Sequence, residues 1–222
     1  MQTHCGGENI PYKIQINFNN ENKMNQLDKI FTENIENFSA SYIDYLKQIL
    51  DSINLFEIRG FVETLLDARK RDAMVFFIGN GGSAATASHF ANDIAIGSRE
   101  YDKPFRVISL CDNQAVITAI ANDDGYEKIF SQQLKVLLKK QDVVVSISAS
   151  GNSPNLIHAI NVAKKMSATT VGISAFDGGK MKDIVDFSVH VPTEKGEYGP
   201  AEDAHMILDH LVSNYLMRYV KK

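Results

Sequence analysis

Residues able to move protons or hold a metal ion gather in two stretches of the chain. His89 and Asp93 are spaced i, i+4, so a helix through them presents an imidazole and a carboxylate on one face. Near the C-terminus, Glu202, Asp203, His205, Asp209 and His210 fall on one side of a helix drawn at about 100° per residue. Ala204, Ile207, Leu208, Leu211 and Tyr215 form the opposite stripe. On that pattern the acidic and imidazole side faces away from the core. Imidazoles and carboxylates held together suit general acid and base work, and the i, i+4 spacing also suits two metal ligands. A solvated helix face with local ion pairs gives the same pattern. His158 and His190 stand alone and read as ordinary surface or strand residues.

Two glycine- and serine-containing loops offer different chemistry. The apolar run 75–78 leads into Gly79-Asn80-Gly81-Gly82-Ser83, a tight turn delivering the chain into the helix that carries His89 and Asp93. Glycines let backbone N–H groups approach a ligand, Ser83 can cap the helix or donate its hydroxyl, and a helix N-terminus carries partial positive charge. All three favour an anion such as phosphate. The loop is not a Walker A loop, since no Lys follows the glycines, nor a dinucleotide fingerprint, since Ala84 stands where a third Gly would be needed. The second loop, Ser148-Ala149-Ser150-Gly151-Asn152-Ser153-Pro154, follows another buried run and sets three hydroxyls before a helix with Pro in its first turn. Taken alone it could be cap and turn chemistry. Two such loops, each after a buried strand, favour a phosphate site.

The elements that must position these loops alternate. Strands are expected at 75–78, 105–110, 142–148, 169–174 and 187–191, with helices at 113–122, 130–139, 153–166 and 199–220. That order implies an α/β fold: a doubly wound, mostly parallel five-stranded sheet flanked by helices, with ligands at the carboxyl ends of the strands. Two amphipathic helices, over 23–53 and 55–70, precede the first strand as a long N-terminal helical extension. Part of their surface is expected to form a subunit interface. Residues 1–20 read as a tail of uncertain order and 21–222 as one domain, 222 residues being ample for a single core.

Composition narrows the function classes. The net charge of −4, spread without basic blocks, gives no footprint for direct nucleic-acid binding. No run of 18 apolar residues suggests a membrane span, and the first twenty residues lack the regions of a signal peptide. Cys5 and Cys111 belong to no Cys/His cluster and read as free thiols in a reducing compartment. A cytoplasmic location is expected.

Four motifs in succession carry a resemblance: Ile-Gly-Asn-Gly-Gly-Ser-Ala-Ala-x-Ala-x-His-Phe-Ala at 78–91, Ile-Ala-Asn-Asp-Asp-Gly-Tyr-Glu-x-Ile-Phe-Ser at 120–131, Ile-Ser-Ala-Ser-Gly-Asn-Ser-Pro-Asn at 147–155 and Asp-Gly-Gly-Lys-Met at 177–181. The chain resembles the sugar isomerase (SIS) family over residues 22–220, and within it the sedoheptulose 7-phosphate isomerases. The resemblance implies an aldose–ketose isomerase acting on a phosphorylated sugar for bacterial heptose and surface-polysaccharide synthesis. It also implies a homotetramer with sites at subunit interfaces. By the same resemblance Ser148, Ser150 and Ser153 hold the phosphate, with Ala149 in place of a usual Thr, and Asn80, Ser83 and Asp112 contact the sugar. A divalent metal, usually zinc, is implied on His89, Asp93, Glu202 and His210, where Asp93 stands for Glu and Glu202 for Gln. Asp93 and His210 are then the catalytic proton carriers, with His89 and Glu202 positioning the metal or the substrate oxygens. The rival expectation is a non-catalytic member, such as a DnaA-binding replication regulator or a sugar-phosphate sensor. Retention of His89, a carboxylate at 93 and His210 favours the enzyme.

Overall fold

The structure, a computed structural model, describes residues 24–221, so the tail expected over residues 1–20 lies outside the described residues. Helix α1 (Gln26–Ile30) opens on a reciprocal capping box between Asn25 and Asp28, and α2 (Ile35–Asp51) starts at Asn34, whose side chain accepts from the Asn37 amide. The single helix expected over 23–53 is thus two, because a second capping Asn offers the backbone a start that competes with continuation. Helix α3 (Leu55–Lys70) follows after a third capping Asn, Asn54.

Beyond it the chain alternates as expected: β1 (Met74–Gly79), α4 (Gly82–Ala95), β2 (Arg106–Ser109), α5 (Gln114–Asp123), α6 (Ile129–Leu137), β3 (Val143–Ser148) and α7 (Pro154–Lys165). The remaining elements are β4 (Thr169–Ser174), α8 (Gly179–Ile184), β5 (Phe187–His190) and α9 (Tyr198–Tyr219). The strands form one parallel sheet in the order β2-β1-β3-β4-β5, with Phe77 opposite Val145, Val145 opposite Val171 and Val171 opposite Phe187. Helix α8 is short and opens on two glycines, so hydrophobic periodicity gave no sign of it.

Successive side chains of a strand point to opposite faces, and both faces of this sheet are covered. Phe77, Val145 and Val171 pack with Phe61, Phe90, Leu208 and Val212 from α3, α4 and α9. Phe76, Ile78 and Val144 pack on the other side with Phe130, Leu134 and Leu156 from α6 and α7. This doubly wound arrangement sends β1 and β3 side by side into the two serine-bearing loops, at the carboxyl end of the sheet. No described helix is long and apolar enough to cross a membrane.

Helix α9 differs from its expected orientation. His205 and Asp209 are fully buried together with Ala204 and Leu208, whereas Leu211 and Tyr215, assigned to the apolar stripe, stay about half exposed. The polar side is split: His205 and Asp209 are buried because α9 lies along α4 and covers the sheet, while Asp203 and His210 stay exposed, so its neighbours rather than hydropathy decide which arc is dry. Leu211 and Tyr215 instead line an open groove of about 400 Å³ with Leu55, Ile58 and Val62 of α3.

Candidate active site

The first loop is shaped by close backbone approach. Gly81 has φ +52° and serves as the N-cap of α4 without a side-chain cap, and a methyl group on Gly79 would collide with the Ser83 backbone. Ser83 therefore does not cap the helix. It sits one residue inside α4, buried against the cavity described below. Asn80 is clamped: its amide donates to Asn155 Oδ1 at 2.9 Å, and its carbonyl oxygen accepts from Asn155 Nδ2 at 2.8 Å and from the Tyr126 hydroxyl at 3.1 Å.

The serine loop is fixed from its own backbone and from α8. Ser148 Oγ accepts from the Gly151 amide at 3.1 Å, and Ser150 Oγ from the Asn152 amide at 3.4 Å. The Gly151 carbonyl accepts from the Met181 amide at 2.9 Å, and Asn152 Oδ1 from the Lys180 amide at 3.0 Å. Ser153 is the N-cap residue of α7 but makes no side-chain cap, and Pro154 opens the helix.

A cavity of about 130 Å³ joins the two loops and is lined by Asn80, Ser83, Ser148, Ser150, Ser153, Tyr198 and Glu202. Two helix N-termini and four serine hydroxyls meet there, a setting in which phosphate oxygens are favoured without any Lys or Arg. Burial and the neighbouring Asp203 charge raise the Glu202 carboxyl above its ordinary value. Asp112 is not among the residues lining this cavity; its carboxylate accepts from the Ser88 hydroxyl, one residue before His89.

Two turns further along α4 lies the second cluster. His89 Nε2 is 3.2 Å from His210 Nε2 and 3.5 Å from Asp93 Oδ2. One donor atom each from His89, Asp93, Asp209 and His210 falls within 4.8 Å of the others. Glu202, expected to join this set, is outside it, and Asp209 is the residue that sequence reasoning did not assign. Both Asp209 carboxylate oxygens are buried without a hydrogen-bond partner, and burial together with the Asp93 charge pushes its carboxyl up to about 8.

The donor set fits a divalent metal. Ligands at about 2.0–2.2 Å around a tetrahedral zinc lie about 3.3–3.6 Å from one another. The two separations from His89 Nε2, 3.2 and 3.5 Å, match that spacing closely. The orphaned Asp209 oxygens have the unmet need for positive charge that such an ion would satisfy.

Among the residues not singled out from sequence, Tyr198 lines the cavity, while Asn155 and Tyr126 lock Asn80. Asn155 and Tyr126 each stand within a quoted motif, but only folding shows that they lock Asn80.

Comparison with known proteins gives consistent relatives. The sequence model of the family described as SIS domain matches residues 38–175. A phosphoheptose isomerase of Clostridium acetobutylicum is 36% identical over 179 residues, covering 80% of this chain and 90% of that protein. One of Helicobacter pylori is 33% identical over 174 residues, covering 78% and 89%. The solved phosphoheptose isomerase of Neisseria gonorrhoeae superposes with a TM-score of 0.73 at 28% identity, over 82% of this chain and 96% of that one.

Proposed function

The chain belongs to the SIS domain family, and from that premise we propose that it is a sugar-phosphate aldose–ketose isomerase that interconverts sedoheptulose 7-phosphate and a heptose 7-phosphate. The observation that carries the reading is the spacing of its two polar centres. The hydroxyl-lined cavity meets α4 at Ser83, and the histidine–carboxylate cluster begins at His89, six residues later and about 9 Å along the helix. An extended seven-carbon chain with a terminal phosphate, advancing about 1.25 Å per bond, spans on the order of 10 Å. That match of lengths supports a sugar bound with its phosphate at the serine loop and its carbonyl end toward the cluster.

Isomerisation moves a proton between C1 and C2 and another between the oxygens on those carbons. Ser148, Ser150 and Ser153, with the N-terminus of α7, anchor the phosphate, while Asn80, Ser83 and Asp112 address the sugar chain. Asp93 takes the carbon-bound proton and returns it to the adjacent carbon, and His210 serves the oxygens. Proton transfer of this kind contributes about 10²–10⁴-fold in rate. His89, Asp93 and His210 would hold a divalent metal, zinc by the donor chemistry, and such an ion supplies positive charge that stabilises the developing oxyanion. Gathering of these groups favours an enzyme over a non-catalytic sensor or replication regulator, which has no need of an acid–base pair.

Assembly into a homotetramer and a cytoplasmic location belong to the same proposal. The open groove between α3 and α9 supports the first and the unpaired Cys111 thiol is consistent with the second. The test is turnover of sedoheptulose 7-phosphate across a panel of C5 to C7 sugar phosphates, with and without zinc. Asp93→Asn and His210→Ala are expected to lower kcat at least 100-fold with the fold intact; unchanged turnover in both overturns the assignment.

A further inference from the structure

The cavity and the four-residue cluster lie on the same two helices at different heights. On α9, Glu202 sits against the first turn of α4, where a methyl group on Gly82 would collide with the Glu202 carboxylate. His210 sits against His89, at 3.2 Å. Helix α9 runs unbroken through both positions, so eight residues at about 1.5 Å each separate Glu202 from His210 by about 12 Å along the axis. Within one chain, an ion bound at His89 and His210 is out of line with Glu202, whose side chain lines the cavity instead.

Asp209 has the opposite situation. It precedes His210 directly, its side chain is fully buried, and neither oxygen meets a hydrogen-bond donor. A carboxylate left that way is costly to ionise unless a cation or donor is brought to it. Its donor atom nevertheless lies within reach of those of His89, Asp93 and His210.

We propose that Asp209 completes the metal-ligand set in this chain, and that Glu202, freed from that duty, is a specificity residue of the sugar pocket that accepts hydrogen bonds from substrate hydroxyls. The Glu202 half rests on the isomerase reading above; the Asp209 half does not. A carboxylate suits the pocket because sugar hydroxyls are donors and a carboxylate accepts. The division leaves the cluster with two imidazoles and two carboxylates, a neutral set toward a dication and suited to zinc.

The experiment uses the full-length protein, stripped with chelator and titrated with zinc alone, followed by metal content per chain and by calorimetry. Asp209→Asn is expected to weaken zinc binding at least 10-fold and to abolish most of the rise in Tm that zinc gives the wild type. Its metal-free form should melt no lower than the wild type, since an amide replaces a buried, unpartnered carboxyl at nearly the same volume. Glu202→Gln is expected to bind zinc within twofold of wild type while raising KM for sedoheptulose 7-phosphate at least 10-fold. Wild-type zinc affinity in Asp209→Asn, loss of zinc in Glu202→Gln, or a wild type that takes up no zinc each overturns the ligand assignment; an unchanged KM in Glu202→Gln overturns the pocket assignment. If the zinc results hold while no sugar phosphate is turned over, the isomerase reading fails and the Asp209 assignment stands.

Discussion

His205 is the residue at which burial exacts the clearest cost. It is fully enclosed, both ring nitrogens lack a hydrogen bond of ordinary geometry, and desolvation holds its pKa down at about 4 from an ordinary 6.5, opposed by the nearby Ser174 backbone and with a smaller downward push from His190 on β5. Between those values the unfolded chain binds a proton that the folded chain refuses, so stability is complete above 6.5 and falls as pH drops toward 4. At about 1.4 kcal/mol per unit the loss is on the order of 3 kcal/mol. His205→Leu should remove it: the Tm difference between variant and wild type, followed from pH 7.5 to 4.5, should shift in favour of the variant on acidification. A difference independent of pH would show that another group titrates there.

The same helix marks the boundary of what could be read from sequence. His89, Asp93, the serines and the glycines were legible because their signals are local: an i, i+4 spacing, or hydroxyls clustered at a turn. Burial of Asp209 was not legible, because a helical wheel ranks faces by hydropathy, whereas the dry arc of α9 is set by α4 and the sheet. Expecting Glu202 at the metal followed a family pattern, whereas eight residues of α9 separate it from His210 within one chain.

At the scale of elements, the strand-to-helix alternation fixed the sheet, and its parallel order brings the two loops together. What sequence left blank was how the serine loop keeps its shape. Gly151 has φ +62°, and a methyl group there would collide with the backbone of Gly178, the residue that caps α8. Both the conformation and the close approach require glycine. Helix α8 thus acts as a clamp, its Met181 and Lys180 amides holding the Gly151 carbonyl and the Asn152 side chain. Gly151→Ala should cost about 1–3 kcal/mol of stability through strain alone. Because the loop that shifts is the one proposed to hold phosphate, KM should rise at least 10-fold with zinc affinity unchanged. Calorimetry and steady-state kinetics separate the two effects, and a variant with unaltered KM would remove the loop from substrate binding.

At the scale of the whole molecule, the N-terminal helices are tied to the site and leave apolar surface open. The buried Glu197 carboxylate, at the start of α9, accepts from the Leu27 and Glu194 amides at 2.9 and 3.1 Å and from the Tyr45 hydroxyl, and Tyr42 donates to Asp203 beside Glu202. On the outer side of that latch Leu55 is 75% exposed and Phe56 70%, next to the groove that Leu211 and Tyr215 line. Large apolar side chains gathered in this way on one face favour burial against another copy of the chain. A single copy also leaves His89 and His210 on its surface, where a second chain could exclude the water that would quench an oxyanion or capture a reactive intermediate. Light scattering coupled to gel filtration should return an oligomer, and Leu55→Glu combined with Tyr215→Glu should shift it toward smaller species. If assembly seals the site, the same double variant should lose turnover while its zinc content stays at the wild-type level. A monomeric wild type with full activity would break the link between the open face and catalysis.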